Sequence, residues 1–462
     1  MTTPRARLGG LCLAGLLWAA GAGADPLTAE RAVAIALQKS TSIVNARAGV
    51  FDARSGLYGA YSGMLPSITG DWSRSVTRTE NVSGTVSFGA TSFPSTLTEQ
   101  ERYGTTPALT GRWSVLNLSN LAGLSSARSS MRAAQLSVQS ARSDVALETR
   151  RRFYNTVNAY HLSRVAGAAL KLARDDERRV RALFEVGSVS RSDLLKAQVR
   201  TATSQLDSLT AHQQMINQRI SLAEMLAMRE AELGEVDTVL TAEAHDYEEG
   251  AMLSEAGKNR PDLQAAEAEL RAARQGVSSA RFGWLPYVTV SGGLNLTSSA
   301  STKSKQPIFR FANGTSTQVV SVDTTLSSGT TTDRVYQGTV ALNWDLFDGL
   351  QTNSRIAAAK ARLLRAEESR NALTRNLEAE VHQAVLVYRE AIEREAVADR
   401  SLESATENLK LTQQKYNVGS TTILDLIDAQ VSLARADADR VTALAGIRIA
   451  EAQLNRVRGR VE

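Results

Sequence analysis

YNVGSTTILDLIDAQV, residues 416–431, repeats a phrase that the chain has already used 232 positions earlier as FEVGSVSRSDLLKAQV, residues 184–199. In both, a Val-Gly-Ser turn precedes a hydroxyl residue with an aspartate three places on: Ser190 with Asp193, and Thr422 with Asp425. This spacing predicts a helix start, because the hydroxyl can cap free backbone N–H groups and the acid can reach back to the cap. Asp428 lies one turn deeper, where the earlier phrase has Lys196, so capping does not account for it. The turn glycines, Gly187 and Gly419, are expected to adopt positive φ.

Further landmarks recur around these phrases. Gly63-Met64-Leu65-Pro66 returns as Gly283-Trp284-Leu285-Pro286 at an offset of 220, and Trp113 returns as Trp344 at an offset of 231. The change of 11 places an insertion between them, and the Ser-, Thr- and Gly-rich residues 297–333 are the expected position. The chain therefore divides into a leader (1–24), a first repeat (25–245) and a second repeat (246–462). Each repeat reads as helix, strand pair, long helix, Val-Gly-Ser tip and helix, with the strand pairs at about 66–116 and 286–348.

The strand regions alternate with period two. Val288, Val290, Leu294 and Leu296 share one face of the third strand, while Thr289, Ser291, Asn295 and Thr297 take the other. Tyr336, Val340, Leu342 and Trp344 do the same against Gln337, Thr339 and Asn343, and Trp72, Trp113, Trp284 and Trp344 all lie in or beside strand candidates. An apolar face with aromatics near its ends suits a membrane-spanning barrel strand. Arg74 breaks the pattern by falling on the apolar face.

The helical regions are too long for an ordinary core. No proline interrupts 118–184 or 350–416, and a helix of about 65 residues is on the order of 100 Å long. Leu124, Met131, Val138 and Val145 recur at sevens with Ala127, Ala134 and Ala141, and Ala359, Ala366 and Leu373 repeat the device. Small residues at alternate seam positions predict closely approaching helices, as in a coiled coil or a helical tube.

Arg5, Arg7, the run LGGLCLAGLLWAA and Ala22-Gly23-Ala24 make a secretory leader cleaved before Asp25. The only cysteine, Cys12, lies inside it and fits a lipoprotein cleavage motif poorly, so neither a lipid anchor nor a thiol is expected in the exported chain. Without the leader the net charge falls from +5 to +3, too small and dispersed for a nucleic-acid surface. Beyond residue 24 no stretch approaches the roughly 18–20 apolar residues of a spanning helix, so any crossing must use strands. His161, His212, His245 and His382 are scattered without metal-ligand spacing, and no phosphate-binding or nucleophile motif occurs in its required context. No cofactor, metal or enzymatic activity is expected. Four strands cannot close a barrel whose smallest closed form has about eight, so chains must pool them: two chains give eight and three give twelve, and three is expected if the chain conducts, since only larger barrels leave an open lumen.

The ordered set of Leu65-Pro66, Leu285-Pro286, Trp344-Asp345-Leu346-Phe347-Asp348-Gly349, Tyr416-Asn417-Val418-Gly419-Ser420 and Leu424 to Ala429 resembles the TolC-like outer membrane factors, over essentially the whole chain beyond the leader. The resemblance implies an α+β membrane protein: duplicated half-units supply four transmembrane strands to a trimeric twelve-stranded barrel above a long coiled-coil tunnel. It implies a cell-outer-membrane location with the tunnel in the periplasm, and an exit duct for a tripartite efflux pump or type I secretion system. The partners implied are two further copies, outer-membrane lipid, a periplasmic adaptor, and an inner-membrane pump or ABC transporter. It assigns Asp425, Asp428, Tyr416 and Asp193 to a channel gate, and Val186, Gly187, Ser188, Val418, Gly419 and Ser420 to adaptor-docking tips. The family often carries arginine where this chain has Thr421. Read from the residues alone, the other possibility is an exported coiled-coil scaffold of the cell envelope, which would need no lipid-facing band.

Overall fold

The computed structural model describes residues 26–88, 91–241, 245–311, 319–326 and 329–460. Residues 1–24, which hold the expected leader and Cys12, lie outside them. The order of elements is α1 (Ala29–Lys39), α2 (Thr41–Ser62), β1 (Ser67–Phe88), β2 (Thr91–Leu116), α3 (Leu118–Glu185) and α4 (Arg191–Met225), followed by α5 (Glu249–Asn259), α6 (Pro261–Arg281), β3 (Tyr287–Phe311), β4 (Val319–Leu326), β5 (Gly329–Asn343), α7 (Gln351–Asn417) and α8 (Ile423–Val457). Among the described residues no helix is long and apolar enough to cross a membrane.

One compact unit comprises residues 46–138 and 261–375 and contains the sheet. β1 pairs with β2, β2 with β3, and β3 with β5, all antiparallel. Pairing of β2 with β3 joins the two repeats by a hydrogen-bond ladder, from Gln100↔Ser304 to Leu116↔Val288, with irregularities between Glu101 and Arg102 and between Ser114 and Leu116. The repeated landmarks meet in equivalent ways: Trp113 Nε1 donates to the Met64 carbonyl (2.8 Å), and Trp344 Nε1 donates to the Trp284 carbonyl (3.2 Å). Each indole thus locks the strand that leaves the sheet to the Gly-x-Leu-Pro corner by which the chain came in. Asp348 starts α7 by accepting the Thr352 N–H (2.7 Å).

Within the expected insertion at 297–333, the described residues lie in strands. β3 runs on to Phe311, and β4 pairs with its outer part, from Lys305↔Leu326 to Phe311↔Val319. β5 pairs with the inner part, from Ser301↔Gly329 to Tyr287↔Asn343, so β4 and β5 succeed one another along the same side of β3. Five strands therefore occupy four lanes. Thr and Val suit a pleated backbone whether or not lipid covers them, so polar composition alone does not end a strand. Cross-strand partners share a face: Ile68, Trp72, Leu109, Trp113, Tyr336, Val340 and Leu342 expose one apolar face, while Thr69, Asp71, Thr110, Ser291 and Gln337 line the other.

The helical core of this unit is made of small residues. Ala133 and Leu136 of α3 meet Ala265 and Ala268 of α6, and Ser126 Oγ donates to the Ala272 carbonyl (2.8 Å). Of the expected seam, Leu124 and Val145 are buried but Met131, Ala134, Val138 and Ala141 are only partly so. A strict seven-residue row drifts by about 20° per heptad on a straight helix, which moves the deepest contacts to neighbouring positions.

The second unit comprises the described residues up to Asn45, with 139–260 and from 376 onward. Thr28 caps α1, its Oγ1 accepting the Arg31 N–H (3.3 Å), and Ala29, Ala32 and Ala36 pack with Phe153, Val157, Leu222 and Leu226. The end of α8 is held by charge: Arg456 reaches Asp144 (3.0 Å) and Glu380 (2.9 Å), while Arg458 and Arg460 hold Glu255 (2.9 and 2.8 Å). Gly459 at φ +78° lets this end approach the backbone of Asn259, where an added Cβ would lie 2.8 Å from the carbonyl carbon. Gly459→Ala is therefore expected to destabilise by about 2–4 kcal/mol, combining left-handed strain with overpacking. Gly234→Ala, at φ +67° in open space, should cost only the backbone part of about 1–2 kcal/mol. The thermal midpoints of the two variants should rank in that order.

Candidate functional site

The two Val-Gly-Ser turns end α3 and α7 in the same way. Gly187 (φ +80°) and Gly419 (φ +77°) take the left-handed conformation. Their N–H groups bond the Phe184 and Tyr416 carbonyls (2.9 and 3.0 Å), and the next N–H groups, of Ser188 and Ser420, reach Leu183 and Lys415 (both 2.9 Å). These are paired Schellman closures, which satisfy carbonyls that a helix end leaves free. Val186 and Val418 at the turns are 74% and 78% exposed, an uncommon state for valine.

Behind the turns, Val180, Ala197, Ile423 and Leu426 form a buried cluster with Val189, Leu194, Leu409, Tyr416 and Ile427 against it. Four helices, α3, α4, α7 and α8, thus share one small core. Its polar members are not among the residues expected from the sequence. Gln430 Nε2 donates to the buried Asp176 carboxylate, which Arg179 also approaches (3.7 Å). Gln430 was detectable in principle, as a polar residue on the apolar face made by Ile423, Leu426 and Ala429; Asp176 sits within an Arg-rich charged run that gives no such signal.

Tyr416 and Asp193 lie in one electrostatic neighbourhood. Burial pushes the Tyr416 hydroxyl up from its ordinary value, and the Asp176 and Asp193 carboxylates add to this while Arg179 opposes it. Asp193 serves as a capping acid: its N–H donates to Ser190 Oγ (3.1 Å), and that hydroxyl donates back to its Oδ2 (2.7 Å). The Ser190 hydroxyl holds the Asp193 carboxyl below the usual range, helped by the Ser190 backbone and by Lys196 at 3.6 Å.

Asp425 closes a full capping box with Thr422. Its Oδ2 accepts from Thr421 Oγ1 (2.6 Å), Thr422 Oγ1 (2.7 Å) and the Thr422 N–H (3.0 Å). Those hydroxyls, Thr421 first, lower its carboxyl to about 2. Thr421, where the family often has arginine, thereby serves the cap within its own turn. Asp428 is different: it is exposed and makes no hydrogen bond or ion pair with any described residue.

A further feature escaped the sequence reading. Leu195, Val199, Leu206, Leu209 and Ile220 expose an apolar row along α4 at coiled-coil spacing. Beside it, a cleft of about 450 Å³ is lined by Leu195, Lys196, Val199 and Arg200 of α4 and by Leu424 and Ile427 of α8. No cluster of metal-ligating side chains occurs among the described residues.

A duplicated chain with a four-lane sheet and two long hairpins has the fold of solved outer-membrane proteins. Its fold matches the outer membrane protein VceC from Vibrio cholerae with a TM-score of 0.73 at 18% identity, covering 94% of this chain and 97% of that one. The chain belongs to the outer membrane efflux protein family, whose profile matches residues 32–228 and 252–460. It is 27% identical to the outer membrane efflux protein BepC of Brucella suis over 48% of this chain and 43% of that protein. With the outer membrane protein TolC of Vibrio cholerae it shares 26% identity over 53% and 52%. The alignments thus span about half the length of these curated relatives. Membership in this family places the chain in the outer membrane.

The geometry of Asp425 has a pH signature. Its folded-state value lies below the unfolded one, so its capping contribution is complete above about pH 4 and is lost as pH falls through about 2. Asp425→Ala should speed hydrogen exchange in the first turn of α8 at pH 5, and the difference from the unaltered protein should shrink as pH approaches 2.

Proposed function

We propose that three copies of this chain pool their strands into a twelve-stranded barrel and their long helices into a periplasmic tunnel, forming the exit duct of a tripartite efflux pump or type I secretion system. The observation that carries this reading is the sheet with one apolar exposed face and two edges that lack a strand partner among the described residues. Strands in hydrocarbon must pair every backbone group, so such a sheet calls for further copies. The exposed row on α4 supports the same assembly, since a seven-residue apolar row is the ordinary seam between helices. The leader at 1–24 and the repeats at 25–245 and 246–462 belong to this reading.

The tips then take two roles. Val186, Gly187, Ser188, Val418, Gly419 and Ser420 form the surface offered to a periplasmic adaptor, which links the duct to an inner-membrane pump or ABC transporter. Tyr416 and Asp193 help hold the tip closed. Asp425 and Asp428 face the narrow opening, with Asp425 principally a helix cap and Asp428 supplying the free charge.

Three Asp428 carboxylates about 6 Å apart would repel by roughly 0.7 kcal/mol per pair in water, and several-fold more where walls exclude it. Such a ring attracts cations, multivalent ones above all. In planar bilayers the purified protein should be cation-selective and blocked by divalent cations from the tip side. Asp428→Ala should weaken both properties substantially, and Asp425→Ala should weaken them less. Unchanged selectivity and block in Asp428→Ala would remove that residue from the gate. A protein that leaves the cell on osmotic shock, with no heat-modifiable trimer in the membrane fraction, would exclude the duct altogether.

A further inference from the structure

Three arginines lie on the apolar side of the sheet's edge strands, Arg74 and Arg78 on β1 and Arg334 on β5; Arg78 is already engaged, which leaves Arg74 and Arg334. Arg74 is the eighth residue of β1, and Arg334 is the tenth from the end of β5. Cross-strand pairing puts them on the apolar side: Arg74 opposes Thr105, which opposes Ser298, while Arg334 opposes Leu296 and follows the same face as Tyr336, Val340 and Leu342. Both are exposed, and neither makes a hydrogen bond or ion pair with any described residue. A free guanidinium facing hydrocarbon is costly at the midplane of a bilayer and nearly free of cost at its interface.

Their depth resolves the conflict. The helices leave the sheet at Ser67, Leu116, Tyr287 and Asn343, where Trp113 and Trp344 form an aromatic margin. At about 3.3 Å per residue and a tilt near 40°, Arg74 and Arg334 stand about 18–23 Å above that margin, and the apolar band of such barrels is about 25 Å tall. On the barrel reading, the two guanidinium groups are therefore within reach of the far interface, where long cationic side chains extend their charges to headgroups. If copies close edge to edge, β5 of one pairs with β1 of the next, and each seam receives one arginine of each kind.

We infer that Arg74 and Arg334 form a seam site for the phosphate groups of outer-leaflet glycolipid. A planar guanidinium matches phosphate in a bidentate manner, and the phosphorylated glycolipid is the anionic component of that leaflet. The inference rests on the barrel reading given above. It adds that lipid recognition is built into the subunit seams rather than spread over the barrel.

Native mass spectrometry of the full-length trimer, extracted from the outer-membrane fraction, tests it with bis-phosphorylated lipid A as the probe. The unaltered protein should retain up to three lipids, and Arg74→Gln with Arg334→Gln should weaken retention about tenfold or more. Arg74→Lys with Arg334→Lys should recover part of the loss. Dephosphorylated lipid A, measured on the unaltered trimer, should bind no better than the Gln variant, which decides the matter even if that variant fails to assemble. Equal retention of the two lipids, or of the two proteins, would overturn the assignment, as would displacement by millimolar inorganic phosphate, which would mark a general anion site. Absence of any trimer from the outer-membrane fraction would overturn the barrel reading as well, whereas a normal trimer with unchanged lipid retention would overturn the seam site alone.

Discussion

An extended strand has hydrogen-bonding groups along both sides, and a membrane offers no water to satisfy them. β1 and β5 each have one side without a strand partner among the described residues, while β2 and β3 are paired on both. Much else in the molecule follows from that constraint. The β2–β3 ladder makes the two repeats a single sheet rather than two hairpins. The indole bonds from Trp113 and Trp344 fix where each strand passes into helix, so that edges and apolar face are held in register with the corners. On the barrel reading proposed above, the chain is completed when its edges meet other copies, and backbone chemistry sets that symmetry as much as side-chain fit does.

Local closure governs the hairpin tips in a comparable way. Both turns spend their glycines and serines on ending one helix and their next hydroxyl on starting another. Asp193 and Asp425 are absorbed by that task, because a carboxylate three residues after a cap is in reach of the donors it needs. One turn further, Asp428 has no such donors among the described residues and stays exposed. The small core behind the turns is held by apolar packing with one buried polar bond, Gln430 to Asp176, linking α8 to α3. An unpaired acid there would be costly, so the bond ties the second hairpin to the first by penalty as well as by attraction.

The amino-acid sequence by itself determined the duplication, the strand and helix identities, the tip glycines and the capping roles. Each depends on residues within a few positions of one another, or on the same phrase occurring twice. Trp113 with Trp344, and Gly-Met-Leu-Pro with Gly-Trp-Leu-Pro, could be matched by eye because repeated local chemistry leaves a repeated local record. Tertiary structure alone decided the rest. The described residues of 297–333 became strand because a partner lane was available, which composition does not encode. The deepest seam positions shifted to Ala133 and Leu136 because a straight helix turns away from a seven-residue row. Gln430 met Asp176 across 254 residues of chain, and the common face of Arg74 and Arg334 emerged only from strand register, since pairing between distant segments is set by the whole sheet and not by either segment.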